Sequence, residues 1–363
     1  MNKKRYGLSV ISYTYEDHGL AADLVASIDS WDFRPREIIV VDDGSSEPFS
    51  PPASDPALRV LRLTPNQGPG QAKIAGLSAA SGRFLLSVDA DIRLPPDWVT
   101  RALPLASRPE VGLVSAPILT EAGDGLLAAY QKLRFSHMVG FVGEPDVIPA
   151  GLWLLRRETW QRHGFAEYRE RLHEDVYFSH KLRGKGLTLR ILPDAPVRQV
   201  RRLSRLTMTR RGWTWQGGQY LDAASRNLID AVNAFLFAMR RRMRAHHQAD
   251  PRFIFYDYLY CAYGFVALLR QAAFPEPVVR ALAARLAADL PNEALRQIFA
   301  ADLADLGCPP QPAGPHPLIA AIRQGLCSIL PEGSDAAMLQ ALPHLIEEDS
   351  RHDWHFSFYD ASV

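Results

Sequence analysis

The chain has 363 residues, 47% of them hydrophobic and 22% charged, with a formal net charge of +1. This length supports one large or two medium cores, and the near-zero charge removes any whole-chain case for nucleic-acid binding. The three cysteines, Cys261, Cys308 and Cys327, form no Cys-x-x-Cys pair, as expected of free thiols in a reducing compartment.

In chain order, "MNKKRYGLSVISYTYED" starts basic, but Ser, Tyr and Thr interrupt its apolar part. It reads as a first strand and not as a signal peptide. "GLAADLVASIDSW" carries Leu20, Leu24 and Ile28 at helical spacing, and "EIIVVDDGS" is a β-branched run that ends in Asp42-Asp43 and Gly44. "ALRVLRL" reads as a strand, "GPGQAKIAGLSAA" as a helix opened by glycines, and "RFLLSVDAD" as a buried strand ending in Asp89 and Asp91. Alternation of this kind predicts an α/β fold with parallel pairing and right-handed crossovers. In such sheets a ligand lies beyond the carboxyl ends of the strands, so both acidic strand ends should face one crevice.

Downstream, "RLHEDVYFSHKLRGKG" places Glu174-Asp175 at the start of a helix. Carboxylates there answer the helix dipole, and the same placement suits a general base. Beyond residue 215 the chain turns Ala/Leu/Arg-rich with helical periodicity, and "CPPQPAGPHP" at 308–317 reads as an interhelical loop. The apolar run at 253–269 contains Asp257 and four tyrosines and falls short of a spanning length, so a packed helix is expected, with an interfacial one as the alternative. The division expected is 1–215 and a helical extension over 216–363.

Two acidic strand ends suit a ligand with a ribose, a base and a metal-bound diphosphate. A carboxylate accepts from ribose hydroxyls or a pyrimidine N–H, and another holds Mg²⁺ or Mn²⁺ against phosphate. "EIIVVDDGSSE", "NQGPGQAKIAGLSAASGRFLLSVDADI", "PAGLWLLRRETWQRHGF" and "HEDVYFSHKLRGKG" come in one order, with Glu174 83 residues after Asp91. In this the chain resembles, over roughly residues 6–215, the family 2 glycosyltransferases, inverting enzymes with a GT-A fold.

The resemblance implies a GT-A domain that moves a sugar from a nucleotide-diphospho-sugar, UDP-linked by expectation, to a saccharide or lipid-linked acceptor. Ser12, Tyr13 and Thr14 should lie against the nucleotide, Asp43 or Asp42 should accept from the base, and Lys73 stands where the family often has Arg. Asp89 should contact the ribose and share with Asp91 the hold on Mn²⁺ or Mg²⁺. Asp175 should be the catalytic base, with Glu174 orienting it. Trp153 is a candidate for stacking on a sugar, with core packing the alternative. His173 is a candidate acceptor contact, and Arg202 belongs to a run from Arg198 to Arg211 that is either a clamp on the diphosphate or acceptor, or a solvated basic face. Ile74 replaces a common Asn, and Gln199 lies near the place of a common metal-binding His. No processive motif is matched. The expected location is cytoplasmic, with peripheral membrane contact as an option. A nucleotidyltransferase would carry a Gly-rich signature where this chain has "YTYEDHGL"; a non-catalytic nucleotide-sugar binder is the other alternative.

Overall fold

The computed structural model describes residues 4–5, 7–51, 57–170 and 173–348. The strands among them are β1 (Lys4–Arg5), β2 (Leu8–Thr14), β3 (Phe33–Arg34), β4 (Glu37–Asp42), β5 (Leu58–Arg62) and β6 (Phe84–Val88). They continue with β7 (Ile92–Arg93), β8 (Val111–Ser115), β9 (Ile118–Thr120), β10 (Leu152–Arg156), β11 (Thr188–Ile191) and β12 (Val197–Gln199). The main sheet runs β11-β8-β10-β6-β2-β4-β5, and a small one runs β7-β12-β9.

β2 pairs parallel with β4 and β6, and β4 parallel with β5. The carboxyl ends of β4 and β6 therefore lie at one edge, and Asp42-Asp43 and Asp89 lie with them. β10 runs antiparallel between β6 and β8, which makes the sheet mixed. Its register sets Leu152 opposite Val88, so the start of β10 meets the same edge.

Helices cover both faces, which is why the central strands read as continuous apolar runs. One face packs Val10, Val40 and Leu86 with Ala21 and Leu24 of α1 (His18–Ser27), and the other packs Ile11, Val41 and Leu85 with Ala72 and Leu77 of α2 (Pro69–Ala79). α3 (Trp98–Ala106), α4 (Leu126–Phe135), α5 (Arg157–His163) and α6 (Glu174–Gly184) follow.

The described residues form two compact units, one of 4–122 and 134–202, the other of 123–133 and 203–348. The division thus falls before residue 215, and a piece of α4 counts with the helical unit. The reason is α7 (Arg205–Gln216), whose Trp213 packs edge-on against Phe235, 5.3 Å between ring centroids. α8 (Gly218–Ala224), α9 (Leu228–Ala249), α10 (Ile254–Gln271), α11 (Glu276–Ala288), α12 (Glu293–Asp305), α13 (Pro317–Ile329) and α14 (Ser334–Glu347) complete this unit. The proline-rich stretch after α12 is a loop, as its composition predicts; residues 349–363 of the expected extension lie outside the described residues.

The apolar run at 253–269 is the buried helix α10. Its Asp257 is fully buried, accepts from Tyr130 Oη at 2.6 Å and contacts His246 Nδ1 at 2.8 Å, with Arg242 Nε at 3.4 Å. A buried charge persists only with such partners. Among the described residues no helix is long and apolar enough to cross a membrane.

Candidate active site

The strand end at β6 is shaped by backbone before any side chain acts. Asp89 N donates to Gly151 O at 2.9 Å, and Ile92 N donates back to Asp89 O at 2.9 Å. The second bond closes a tight turn through Asp-x-Asp, and the first ties it to the start of β10. β7 then continues into the small sheet, where Ile92 lies opposite Gln199 of β12.

The centre of the site is Lys73, on the second turn of α2. Its side chain is 1% exposed, and its ammonium lies 2.9 Å from Glu174 Oε1 and 3.5 Å from Asp89 Oδ1. It also donates to Tyr13 Oη at 3.2 Å and sits 4.6 Å from the centre of that ring. Burial alone would lower the lysine's pKa; the charges of Asp89 and Glu174 overcome this and hold it well above the usual value. One ammonium therefore joins the end of β6 to the start of α6.

At that helix start the two acids differ. Glu174 is buried in its pair with Lys73, so it is no surface cap. Asp175 is half-buried, and its Oδ1 accepts from Val176 N at 2.8 Å. Burial, then the charge of Glu174, raises the Asp175 carboxyl above its ordinary range. Burial likewise raises Asp89; Lys73 opposes the rise, and Asp91 and Glu174 add to it. Such a perturbed carboxyl group is a physical mark of a functional site.

Asp91 is held from the other side. Its Oδ2 accepts from Arg201 Nε at 2.7 Å and from Gln199 Nε2 at 3.2 Å, and Arg201 also pairs with Asp17. Gln199 does stand at Asp91, as its place in the chain suggested. Asp17 gave no signal in the sequence. Arg201 was visible only as one of six arginines.

The structure sorts those arginines apart. Arg205 is buried and bidentate to Asp302, at 2.7 and 2.9 Å. Arg211 is buried and stacks 4.2 Å from the Trp215 ring centre, and Arg198 pairs with Glu121 at the surface. The run is neither one clamp nor one solvated face. Arg202 is exposed.

Asp42 and Asp43 are buried and engaged with protein donors. Asp42 accepts from Ser45 N and Phe49 N, both at 3.0 Å, and from Arg62 at 3.2 Å. Asp43 accepts from Gln67 N at 2.9 Å, Gly68 N at 2.8 Å and Asn66 Nδ2 at 3.0 Å. A carboxylate offers about four acceptor positions, so each aspartate mainly staples a loop. Ser12 and Thr14 are buried at the end of β2, beside the Tyr13 that meets Lys73.

Trp153 must be corrected. It is 0% exposed, with its ring against Phe165 and Phe178, because β10 is an interior strand covered on both faces. It is core and offers no surface to a sugar. His173 is exposed at the N-cap of α6 with φ 69°, a left-handed conformation unusual for a side-chain-bearing residue.

Residues 9–165, somewhat under half of the chain, match the model of Glycosyl transferase family 2. An N-acetylglucosaminyltransferase of Bradyrhizobium elkanii is 36% identical over 104 residues, 27% of this chain and 57% of that protein. An undecaprenyl-phosphate 4-deoxy-4-formamido-L-arabinose transferase of Pectobacterium carotovorum subsp. carotovorum (strain PC1) is 37% identical over 81 residues, 21% of this chain and 25% of that one. Among solved structures, a mannosyltransferase of Pyrobaculum calidifontis in complex with GDP-Man and Mn²⁺ aligns over 94% of this chain and 86% of its own at 19% identity, TM-score 0.42. The matched segment spans little more than half the length of the first relative and a quarter of the second.

Proposed function

We propose that this chain transfers a sugar from a nucleotide-diphospho-sugar, UDP-linked, to an acceptor hydroxyl with inversion at the anomeric carbon. The observation that carries this reading is the Lys73 bridge. It ties the acidic strand end suited to a donor to the acidic helix start suited to an acceptor, so both operate in one site.

Asp175 takes the proton of the acceptor hydroxyl as that oxygen bonds to the anomeric carbon. On the opposite side the bond to the diphosphate breaks, and its electron pair leaves with the nucleoside diphosphate. Glu174 keeps Lys73 in place and, through its charge, sharpens the basicity of Asp175. Asp89 faces the ribose, and Ser12, Tyr13 and Thr14 border the nucleotide. Asp42 and Asp43 serve the base indirectly, by fixing the loops at 45–49 and 66–68 that would wall its pocket. His173 is exposed beside Asp175 for acceptor contact, and Arg202 is free to meet phosphate.

The donor set fits a divalent cation. Asp17, Asp89, Asp91, Glu174 and Asp175 gather about Lys73 and Arg201, with Arg93 near Asp91, and five carboxylates against three described Lys and Arg cations would repel a diphosphate that came alone. Among the described residues no three His, Cys, Asp or Glu side chains form a metal cage; magnesium-type sites commonly combine one or two carboxylates with substrate phosphates. Asp91 and Asp89 would hold Mn²⁺ or Mg²⁺, which supplies positive charge to the leaving diphosphate.

The relatives' names point to a saccharide or lipid-linked acceptor. A panel of nucleotide sugars incubated with the protein and Mn²⁺ tests the reading through slow donor hydrolysis. One donor should be consumed, and Asp91→Asn or EDTA should abolish turnover and weaken UDP binding. Failure to hydrolyse or bind any nucleotide sugar would reject the transferase reading, and full activity in EDTA would reject the metal.

A further inference from the structure

Arg201 lies just past β12, with its backbone fixed: Val200 N donates to Asp91 O at 2.8 Å. Its guanidinium reaches two carboxylates that come from different parts of the chain. Nε meets Asp91 Oδ2 at 2.7 Å, and Nη1 meets Asp17. The three side chains are 14%, 4% and 9% exposed in the order Arg201, Asp91 and Asp17. Gln199 adds a second donor to the same Asp91 oxygen and is itself held by Thr120 Oγ1 at 3.3 Å. The carboxylate best placed to take a cation therefore already has one, built from the chain.

We propose that Arg201 is a donor-binding residue that exchanges partners. In the unliganded protein it neutralises Asp91; when the nucleotide arrives, the guanidinium turns to the diphosphate, keeps Asp17, and leaves Asp91 to the divalent cation. This rests on the assignment of Asp91 as a metal ligand. Three properties support it. A guanidinium and a dication on one carboxylate oxygen repel each other. The planar fork of arginine suits phosphate oxygens as well as carboxylates. A side chain with two anchors can release one without losing its place.

The consequence is a linkage between cation and nucleotide, and linkage of this kind is reciprocal. Without nucleotide the cation must displace Arg201; with it, the diphosphate attracts both. Mn²⁺ should therefore bind the native protein about tenfold or more tightly in the presence of UDP than in its absence.

Titration calorimetry with Mn²⁺, with and without UDP, tests this on native protein, Arg201→Met and Arg201→Lys. Arg201→Met should bind Mn²⁺ without UDP about tenfold more tightly than native protein, and UDP should add less to that affinity. Arg201→Lys keeps the charge but loses the fork, so it should fall between the two; it carries the test if the Met variant does not fold. Equal Mn²⁺ affinities without UDP in native and variant proteins would overturn the exchange while leaving Asp91 as a metal ligand. No Mn²⁺ binding by any of them, even with UDP, would remove the metal assignment and the exchange with it.

Discussion

Two neighbouring carboxylates, Glu174 and Asp175, receive different chemistry from their surroundings. Glu174 turns inward onto Lys73, whereas Asp175 has no such cation at hydrogen-bonding distance among the described residues, and its carboxyl is raised by burial and by Glu174. A raised pKa makes it a stronger base, and the active form is the deprotonated one. Activity should therefore rise with pH through an apparent pKa above the ordinary aspartate range and fall away on the acid side. Asp175→Asn should cut kcat by roughly 10²–10⁴-fold, erase that acid limb and leave UDP affinity near native. Parallel loss of UDP binding would move Asp175 to the donor side. At this scale the sequence exposed residues whose signal is local: Asp89 with Asp91, Glu174 with Asp175, and Lys73 within a glycine-led helix. Asp17 and Arg201 meet across 184 positions of the chain, and no local pattern marks such a pair. Trp153 stayed open between sugar stacking and core packing for a related reason, because a residue on a strand gives no sign of which face is covered until the strand's neighbours are known.

The elements themselves were largely legible, since buried parallel strands are apolar runs and their covering helices have period 3.6. What was not read from the sequence includes α3, β8, β11 and the small sheet of β7, β12 and β9, whose strands of two or three residues are too short to show a period. Yet this sheet carries Gln199 to Asp91. α2 shows how tightly an element can be tied to the site. Gly76 lies one turn past Lys73, and a Cβ there would stand 2.4 Å from Ile11 Cγ2 and 3.1 Å from Val41 Cγ2. Both are rigid β-branched residues of central strands, so the helix and not the sheet would yield. Gly76→Ala should destabilise the protein by about 1–3 kcal/mol, as overpacking does. It should also weaken UDP binding, because a displaced α2 carries Lys73 away from Asp89. Unchanged urea midpoint and UDP affinity together would show that α2 sits more loosely on β2 and β4 than this geometry says.

For the molecule as a whole, a net charge of +1 conceals an uneven surface. The cluster "MRRRMR" at 239–244 divides by helical phase: Met239 and Met243 are buried, Arg242 turns in to Asp257, and Arg240, Arg241 and Arg244 are exposed. On the same outward face of α9 stand Ile229, 66% exposed, and Phe237, 82% exposed. No described carboxylate pairs with those three arginines. An anionic lipid surface complements this stripe, each cation contributing about 1 kcal/mol near such a surface and a buried phenyl ring about 1.5–3 kcal/mol. The sum predicts weak, reversible attachment. Co-sedimentation with vesicles of anionic lipid should pellet a fraction of the protein at low salt and release it at high salt, where the Debye length shrinks to a few ångströms. Arg240→Glu, Arg241→Glu and Arg244→Glu together should abolish pelleting without altering donor hydrolysis, whereas Arg242→Glu would act by unfolding α9 from Asp257. Protein that stays in the supernatant at low salt, or pelleting indifferent to these charges, would leave the stripe an ordinary solvated face and withdraw this support for a lipid-linked acceptor.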